Sequence, residues 1–273
     1  MNPYSDTLSR LASEGNLRTI PAENGVEGVI DLSSNDYLGL ASRPELQAEF
    51  FSREGASAIP LTSSASRLLA GRQEEYARLE GLLSRLYDRP ALLFNSGYHA
   101  NTGMVSALAQ GARTLILADK LVHASIIDGI TLSKAQFARF RHNDLGHLER
   151  LLAKGVADYE QVLVVVESVY SMDGDRADID GLVAIKRRYP NVLLYVDEAH
   201  AFGAEGADGL GLCRGAEGYG DIDVVVGTFG KACASMGAFC AVSRDIHDYL
   251  VNRARSFIFS TALPRCVRHG HSS

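Results

Sequence analysis

The sequence predicts an α/β protein built on a mostly parallel sheet with helices on both faces, a three-layer sandwich. Three observations carry that expectation. Short apolar runs alternate with helical periodicities from residue 73 to residue 228. The strand-like runs are apolar throughout, as strands buried on both faces are. The polar residues able to do chemistry gather just beyond those runs: Ser96, Gly97, His123, Glu167, Ser171, Asp197, His200, Thr228 and Lys231. Right-handed crossovers place all such strand-to-helix turns along one edge of a parallel sheet, and ligands of open α/β sheets bind at that edge.

Taken in order, residues 1–18 read as a short amphipathic helix, with Tyr4, Leu8 and Leu11 at helical spacing. Residues 29–32 form a short strand, and 33–40 a polar turn of the Asx type. Residues 61–71 are rich in small hydroxyl side chains around Arg67, a loop that either approaches a ligand or is solvated. Residues 73–87 are a helix with Tyr76, Leu79, Leu82, Leu83 and Leu86 on one face. Strands follow at 91–94, 114–118, 136–140, 162–166, 192–196 and 224–227. Between them lie helices at 99–108, from 124, from Asp144 to 154 and from Asp178 to 188, the last two with aspartate caps.

Composition narrows the function. Of 273 residues, 46% are hydrophobic and 22% charged, which is ordinary for a soluble protein with a large core. A net charge of −6 argues against a nucleic-acid binder. Cys213, Cys233, Cys240 and Cys266 have no ligand spacing, so reduced thiols in a cytoplasmic protein are expected, with neither metal nor disulfide. No apolar run approaches a membrane span, and residues 1–18 are too polar for a signal or transit peptide. There is no GxxxxGK[ST] loop, and no GxGxxG follows a strand. Asp197-Glu198-Ala199-His200 spells a helicase box, but a helicase would need the missing phosphate loop.

Asp197, His200 and Lys231 reach the active edge from two buried strands. A loop lysine between apolar neighbours can lose part of its hydration, and its free amine then becomes nucleophilic. A carboxylate at the same edge can keep a pyridine nitrogen protonated, which turns the ring into an electron sink. Pyridoxal phosphate is therefore the first candidate cofactor. Ser96-Gly97-Tyr98 opens a helix whose amides suit its phosphate, with Ser171 and Thr228 as further donors. For each residue taken alone an ordinary structural role competes: a satisfied histidine for His123, a strand-end carboxylate for Asp197.

Seven stretches together resemble the α-oxoamine synthases, pyridoxal-phosphate enzymes of fold type I. They are SSNDYLGL at 33–40, SASRLLAG at 64–71, FNSGYHAN at 94–101, HASIIDG at 123–129, ESVYSMDGD at 167–175, VDEAH at 196–200 and TFGK at 228–231. The resemblance implies that Lys231 bonds the cofactor aldehyde and moves the substrate proton, and that Asp197 pairs with the ring nitrogen. It also implies that His123 stacks on the ring beside the substrate, that His200 contacts the ring oxygen, and that Gly97, Tyr98, Ser171 and Thr228 hold the cofactor. Arg18 matches a substrate-binding arginine, and Ser260 and Thr261 match a segment that reaches a neighbouring subunit. The implied partners are an amino acid, an acyl-CoA or acyl carrier protein, and a second copy of the chain.

Within the family, SSNDYLGL, SxSRLLxG and RFRHND at 139–144 favour the branch that condenses L-alanine with a pimeloyl thioester in biotin biosynthesis. Two alternatives stay open: glycine as the amino acid with another acyl group, and a binding or dimerisation role without turnover. The implied organisation is an N-terminal helix and short strand over 1–45, a cofactor-binding major domain over 46–264 and a tail unlike the family over 265–273. The family's C-terminal small domain is expected to be absent.

Overall fold

The structure is a computed structural model that describes residues 2–20, 32–54, 62–71, 73–110 and 113–264. The chain forms two units, Met1–Ser34 and Asn35–Ser273. In the first, helix α1 (Pro3–Ser13) follows Asn2, whose side chain accepts the Tyr4 amide hydrogen at 3.0 Å. The helix buries none of its residues. The strand expected at 29–32 lies mostly outside the described residues, and the expected tail 265–273 lies wholly outside them.

The second unit carries a seven-stranded sheet. Its strands are β1 (Ala91–Phe94), β2 (Thr114–Asp119), β3 (Gln136–Phe140), β4 (Gln161–Glu167), β5 (Val192–Asp197), β6 (Val224–Thr228) and β7 (Ala238–Val242), in the spatial order β1-β7-β6-β5-β4-β2-β3. Strands β3, β2, β4, β5 and β6 run parallel, whereas β7 is antiparallel to both neighbours, β6 and β1. Each parallel crossover carries a helix or, between β5 and β6, the glycine-rich stretch from 203 to 211.

Residue parity along the strands divides the core into two layers. On one face Leu93, Leu117, Val164, Val166, Leu194, Val196 and Phe239 pack with α3 (Glu74–Tyr87), α6 (Leu145–Gly155) and α7 (Ile179–Arg188). On the other, Ile116, Leu163, Val165, Tyr195, Val226 and Cys240 pack with α4 (Gly97–Leu108), α5 (Ala124–Ser133), α8 (Arg244–Arg253) and α9 (Arg255–Ile258). Both faces are therefore dry, as the apolar runs require. The expected α/β class and mostly parallel sheet hold.

Four local findings refine the sequence reading. In α3 the buried stripe is Tyr76, Leu79, Leu83 and Tyr87, while Leu86 is exposed on the flank. Arg67 is not freely solvated. Its guanidinium forms a two-pronged pair with Glu80 at 2.8 and 2.9 Å and lies 3.5 Å over the Tyr76 ring, pinning the loop to α3. At 33–40 the Asp36 carboxylate accepts the Leu40 and Ala41 amides at 2.9 Å each, four and five residues on, rather than the amide two residues on that an Asx turn would use. Strand β7 and helices α2 (Pro44–Glu54), α8 and α9 were not expected from sequence.

Gly227 sits where the Phe239 and Phe202 rings close over β6. A Cβ there would overlap the Phe239 ring and lie 3.3 Å from Phe202 Cγ. Gly227→Ala should cost about 1–3 kcal/mol by overpacking. Urea unfolding reads this directly, and an unchanged midpoint would contradict the packing described.

Candidate active site

The carboxyl ends of β4, β5 and β6 and the start of α4 enclose a cleft of about 160 Å³. Its floor is set by strand register. Glu167 and Asp197 are paired neighbours at the ends of β4 and β5, and both are buried. Lys231, His200, Thr228, Gly97, Tyr98 and His123 line the cleft.

Two buried carboxyl groups side by side need compensation. Asp197 accepts Asn101 Nδ2 at 2.7 Å and the Ala199 amide at 2.8 Å. Glu167 accepts the His123 amide at 2.5 Å. Burial, with Asp197 adding to it, pushes the Glu167 carboxyl up to about 8, against the pull of the His123 amide and Lys231. Burial beside Asp197 therefore favours the protonated form of Glu167. Burial also lowers the proton affinity of Lys231, although Asp197 and Glu167 resist it. A neutral amine is thereby made more accessible in a cleft that also holds a carboxylate.

Asn101 organises this site. It lies one turn beyond Gly97 on α4, is buried, and donates to both Asp197 and Ser125 Oγ, the latter at 2.9 Å. Its carbonyl accepts the buried Tyr195 hydroxyl at 2.6 Å. Ser125 Oγ lies 2.7 Å from His123 Nδ1, which also accepts the Ser125 amide at 3.2 Å. Accepting there leaves Nε2 as the protonated nitrogen of a neutral His123 ring. One hydrogen-bonded chain thus runs from Tyr195 through Asn101 to both Asp197 and His123.

A second chain runs along the opposite wall. Lys231 Nζ lies 2.7 Å from His200 Nε2, and His200 Nδ1 lies 2.6 Å from the Tyr37 hydroxyl. Burial first, then Lys231 and His123, lower the His200 pKa to about 4, so this ring is neutral at pH 7. At the mouth, the Tyr98 hydroxyl donates to Asp128. Thr228 Oγ donates to the Gly237 carbonyl at 3.1 Å and accepts the Gly230 amide at 3.2 Å. A Cβ on Gly97 would lie 3.7 Å from Thr228, so the start of α4 and the turn after β6 approach closely.

Gly97, Tyr98, His123, Asp197, His200, Thr228 and Lys231 are thus brought to one cleft. Ser171 is exposed on the loop after β4 and does not line it. Arg18 is exposed in the N-terminal unit. Thr261 pairs with Ser66 of its own chain and accepts Asn95 Nδ2 at 2.6 Å through its carbonyl. Sequence reasoning missed Tyr37, Asn101 and Ser125. Asn101 had a legible signal, a polar residue four positions after Gly97 on the same helical face. Tyr37 had none, since its partner is 163 residues away.

A model of the aminotransferase class I and II family matches residues 27–272. The chain belongs to that family. Two curated relatives provisionally assigned as 8-amino-7-oxononanoate synthases share much of its sequence. The Pasteurella multocida (strain Pm70) protein is 50% identical over 270 residues, covering 96% of this chain and 70% of its own length. The Glaesserella parasuis serovar 5 (strain SH0165) protein is 52% identical over 273 residues, covering 97% and 71%. A serine palmitoyltransferase variant from S. paucimobilis, solved with a bound PLP–myriocin aldimine, superposes with a TM-score of 0.84 at 28% identity over 99% of this chain and 70% of its own. An 8-amino-7-oxononanoate synthase from Francisella tularensis superposes with a TM-score of 0.71 at 27% identity over 90% and 68%. The family reading is therefore right: this is a fold type I transferase domain of the α-oxoamine synthase group. Among the described residues no helix is long and apolar enough to cross a membrane, and no cluster suits a metal ion.

Two measurements check the site. Asn101→Ala strips partners from the buried Tyr195 hydroxyl and Asp197 carboxylate, and should cost on the order of 2–4 kcal/mol in urea unfolding. A loss below about 1 kcal/mol would mean that water replaces the amide. His200 has a folded pKa of about 4 against an ordinary 6.5, so between those values the unfolded chain binds the extra proton. Its contribution to stability therefore falls as pH drops through that window. Histidine NMR of the cofactor-free protein should show His200 still neutral at pH 5.5. A midpoint near 6.5 would contradict the buried contact with Lys231.

Proposed function

We propose that this chain binds pyridoxal phosphate through Lys231 and catalyses the decarboxylative condensation of L-alanine with a pimeloyl thioester, giving 8-amino-7-oxononanoate, carbon dioxide and the free carrier. The observation that carries the reading is the Lys231 amine, lowered in proton affinity, opening into the same cleft as the buried Asp197 carboxylate.

The residues fit the cofactor. Asp197 offers a carboxylate held from behind by Asn101, suited to a pyridine nitrogen. The amides at the start of α4 and the Thr228 hydroxyl suit its phosphate. His123 presents an imidazole whose Nδ1 is held by Ser125. His200, a neutral ring, contacts the Lys231 amine and is held in turn by the Tyr37 hydroxyl, so the pair orients that amine. When bound there, pyridoxal phosphate supplies the electron sink for the α-carbon of an amino acid. Lys231 would then take and return the α-proton, work favoured by the burial that lowers its proton affinity. Ser171 joins the site only if the loop after β4 moves toward it, and Arg18 is assigned to substrate binding on resemblance.

The support for alanine and pimeloyl transfer is the relatives' names, and the chain spans about 70% of those relatives. A cytoplasmic homodimer accords with free thiols at Cys213, Cys233 and Cys240 and with exposed Met172, Met236 and Phe259.

Adding pyridoxal phosphate should give a yellow protein, and borohydride reduction followed by peptide mapping should label Lys231. Lys231→Ala should lose the label and at least about 10³-fold in turnover, since it removes both the nucleophile and the base. A label on another lysine would defeat the assignment. Thioester consumption should be faster with alanine and a pimeloyl group than with glycine and a short acyl group; the reverse order would point to the glycine branch of the family.

A further inference from the structure

His142 stands outside the cleft, in the turn after β3. Both of its ring nitrogens face carboxylates. Nδ1 lies 2.8 Å from Asp119 Oδ1 and Nε2 lies 2.7 Å from Asp175 Oδ2. A neutral imidazole has one nitrogen that can only accept, which would face one of those oxygens lone pair to lone pair. With both carboxyl groups ionised, the geometry calls for an imidazolium. Asp119 is fully buried and ends β2, while Asp175 lies on the loop after β4.

The surroundings make this a junction of three loops. Asp119 also accepts the Leu121 and Asn143 amides, at 2.8 and 2.9 Å, so it ties the β2 and β3 loops together. Asn143 Nδ2 donates to Asp175 at 2.5 Å and to the Arg176 carbonyl at 3.2 Å. The Tyr170 ring meets the His142 ring edge-on, 4.5 Å between centroids. The β2 loop leads to His123, whose amide is fixed on Glu167. The β4 loop, closed by the Val169–Arg176 bridge and the Gly174 amide on the Tyr170 carbonyl, carries Ser171.

We propose that His142 is a positioning residue: as an imidazolium between Asp119 and Asp175, it clips the loops after β2, β3 and β4 together and so sets the places of His123 and Ser171. No cleft residue touches it, so it acts through those loops. Asp119 and Asp175 are the charged groups in contact with the ring. Glu167 lies beyond Asp119, and Tyr170 is the other titratable neighbour. Burial by itself would lower the His142 pKa, but the hydrogen bonds and charges of Asp119 and Asp175 outweigh it and raise it. A histidine whose folded value is raised gives its full stabilisation below the ordinary value near 6.5. That stabilisation is lost as pH rises through the folded value. The clip therefore opens on the alkaline side.

The geometry of the clip is independent of the cofactor; its effect on catalysis rests on the function proposed above. Histidine NMR of the whole chain, with His142→Gln used to assign the signal, should show His142 titrating above 6.5. A midpoint at or below 6.5 overturns the clip. Hydrogen exchange should quicken in residues 120–123 and 169–177 of the same variant, with α8 unchanged; unaltered exchange in those loops overturns it as well. Asp175→Asn, which keeps the shape and removes one charge, should lower the His142 midpoint and give the same loop pattern if His142→Gln fails to fold. In the cofactor-loaded protein, His142→Gln should weaken pyridoxal phosphate binding about 10-fold at pH 7, matching one lost charge-assisted hydrogen bond, and flatten the alkaline limb of its pH profile. Loop loosening with unchanged cofactor affinity would overturn the link to His123 and Ser171. Failure of the wild-type chain to bind the cofactor would instead defeat the function proposed, and the NMR and exchange results would still decide the clip.

Discussion

Two carboxyl groups, Glu167 and Asp197, end neighbouring parallel strands at the same register, and both are buried. Charges so placed repel each other and have lost their water. Everything around them answers that problem. Glu167 is pushed toward its protonated form and takes the His123 amide. Asp197 is held by Asn101 and the Ala199 amide. Lys231 is drawn toward the pair while burial pulls its proton affinity down. The outcome is a cleft of about 160 Å³ lined by two carboxyl groups and one amine.

The same physics separates two kinds of histidine. His200 faces an amine and is half-buried, so it is kept neutral. His142 faces two carboxylates, so its charged form is favoured. His123 is oriented by a serine hydroxyl that Asn101 holds in turn. The imidazoles of this one domain are tuned by what their two nitrogens meet, and those partners come from different loops at a common sheet edge. That edge concentrates function because parallel strands finish there while the helices begin, leaving polar backbone and side chains together above a dry core.

How much was legible depended on the range of the interaction. The strands from β1 to β6 and helices α3 to α7 follow from local apolar runs and caps: Asp144 accepts the His147 amide and Asp178 the Gly181 amide, as aspartate caps should. Strand β7 (Ala238–Val242) escaped because its place between β6 and β1 is decided by pairing across more than a hundred residues on one side. Leu86 was assigned to the core because sequence spacing does not fix how wide a buried stripe will be. Arg67 looked available to a ligand because Glu80, its partner, lies on the next helix.

The sequence by itself determined the α/β class, the edge on which the polar residues collect and the identities of Asp197, His200 and Lys231. These follow from apolar runs that end in polar residues, a pattern carried within a few positions of the chain. Only the tertiary structure decided which residues hold them. Tyr37 reached His200, Asn101 reached Asp197, and His142 reached Asp175. Each of those contacts joins distant segments through side-chain geometry, which becomes defined only when the sheet register and the helix docking have brought their ends together.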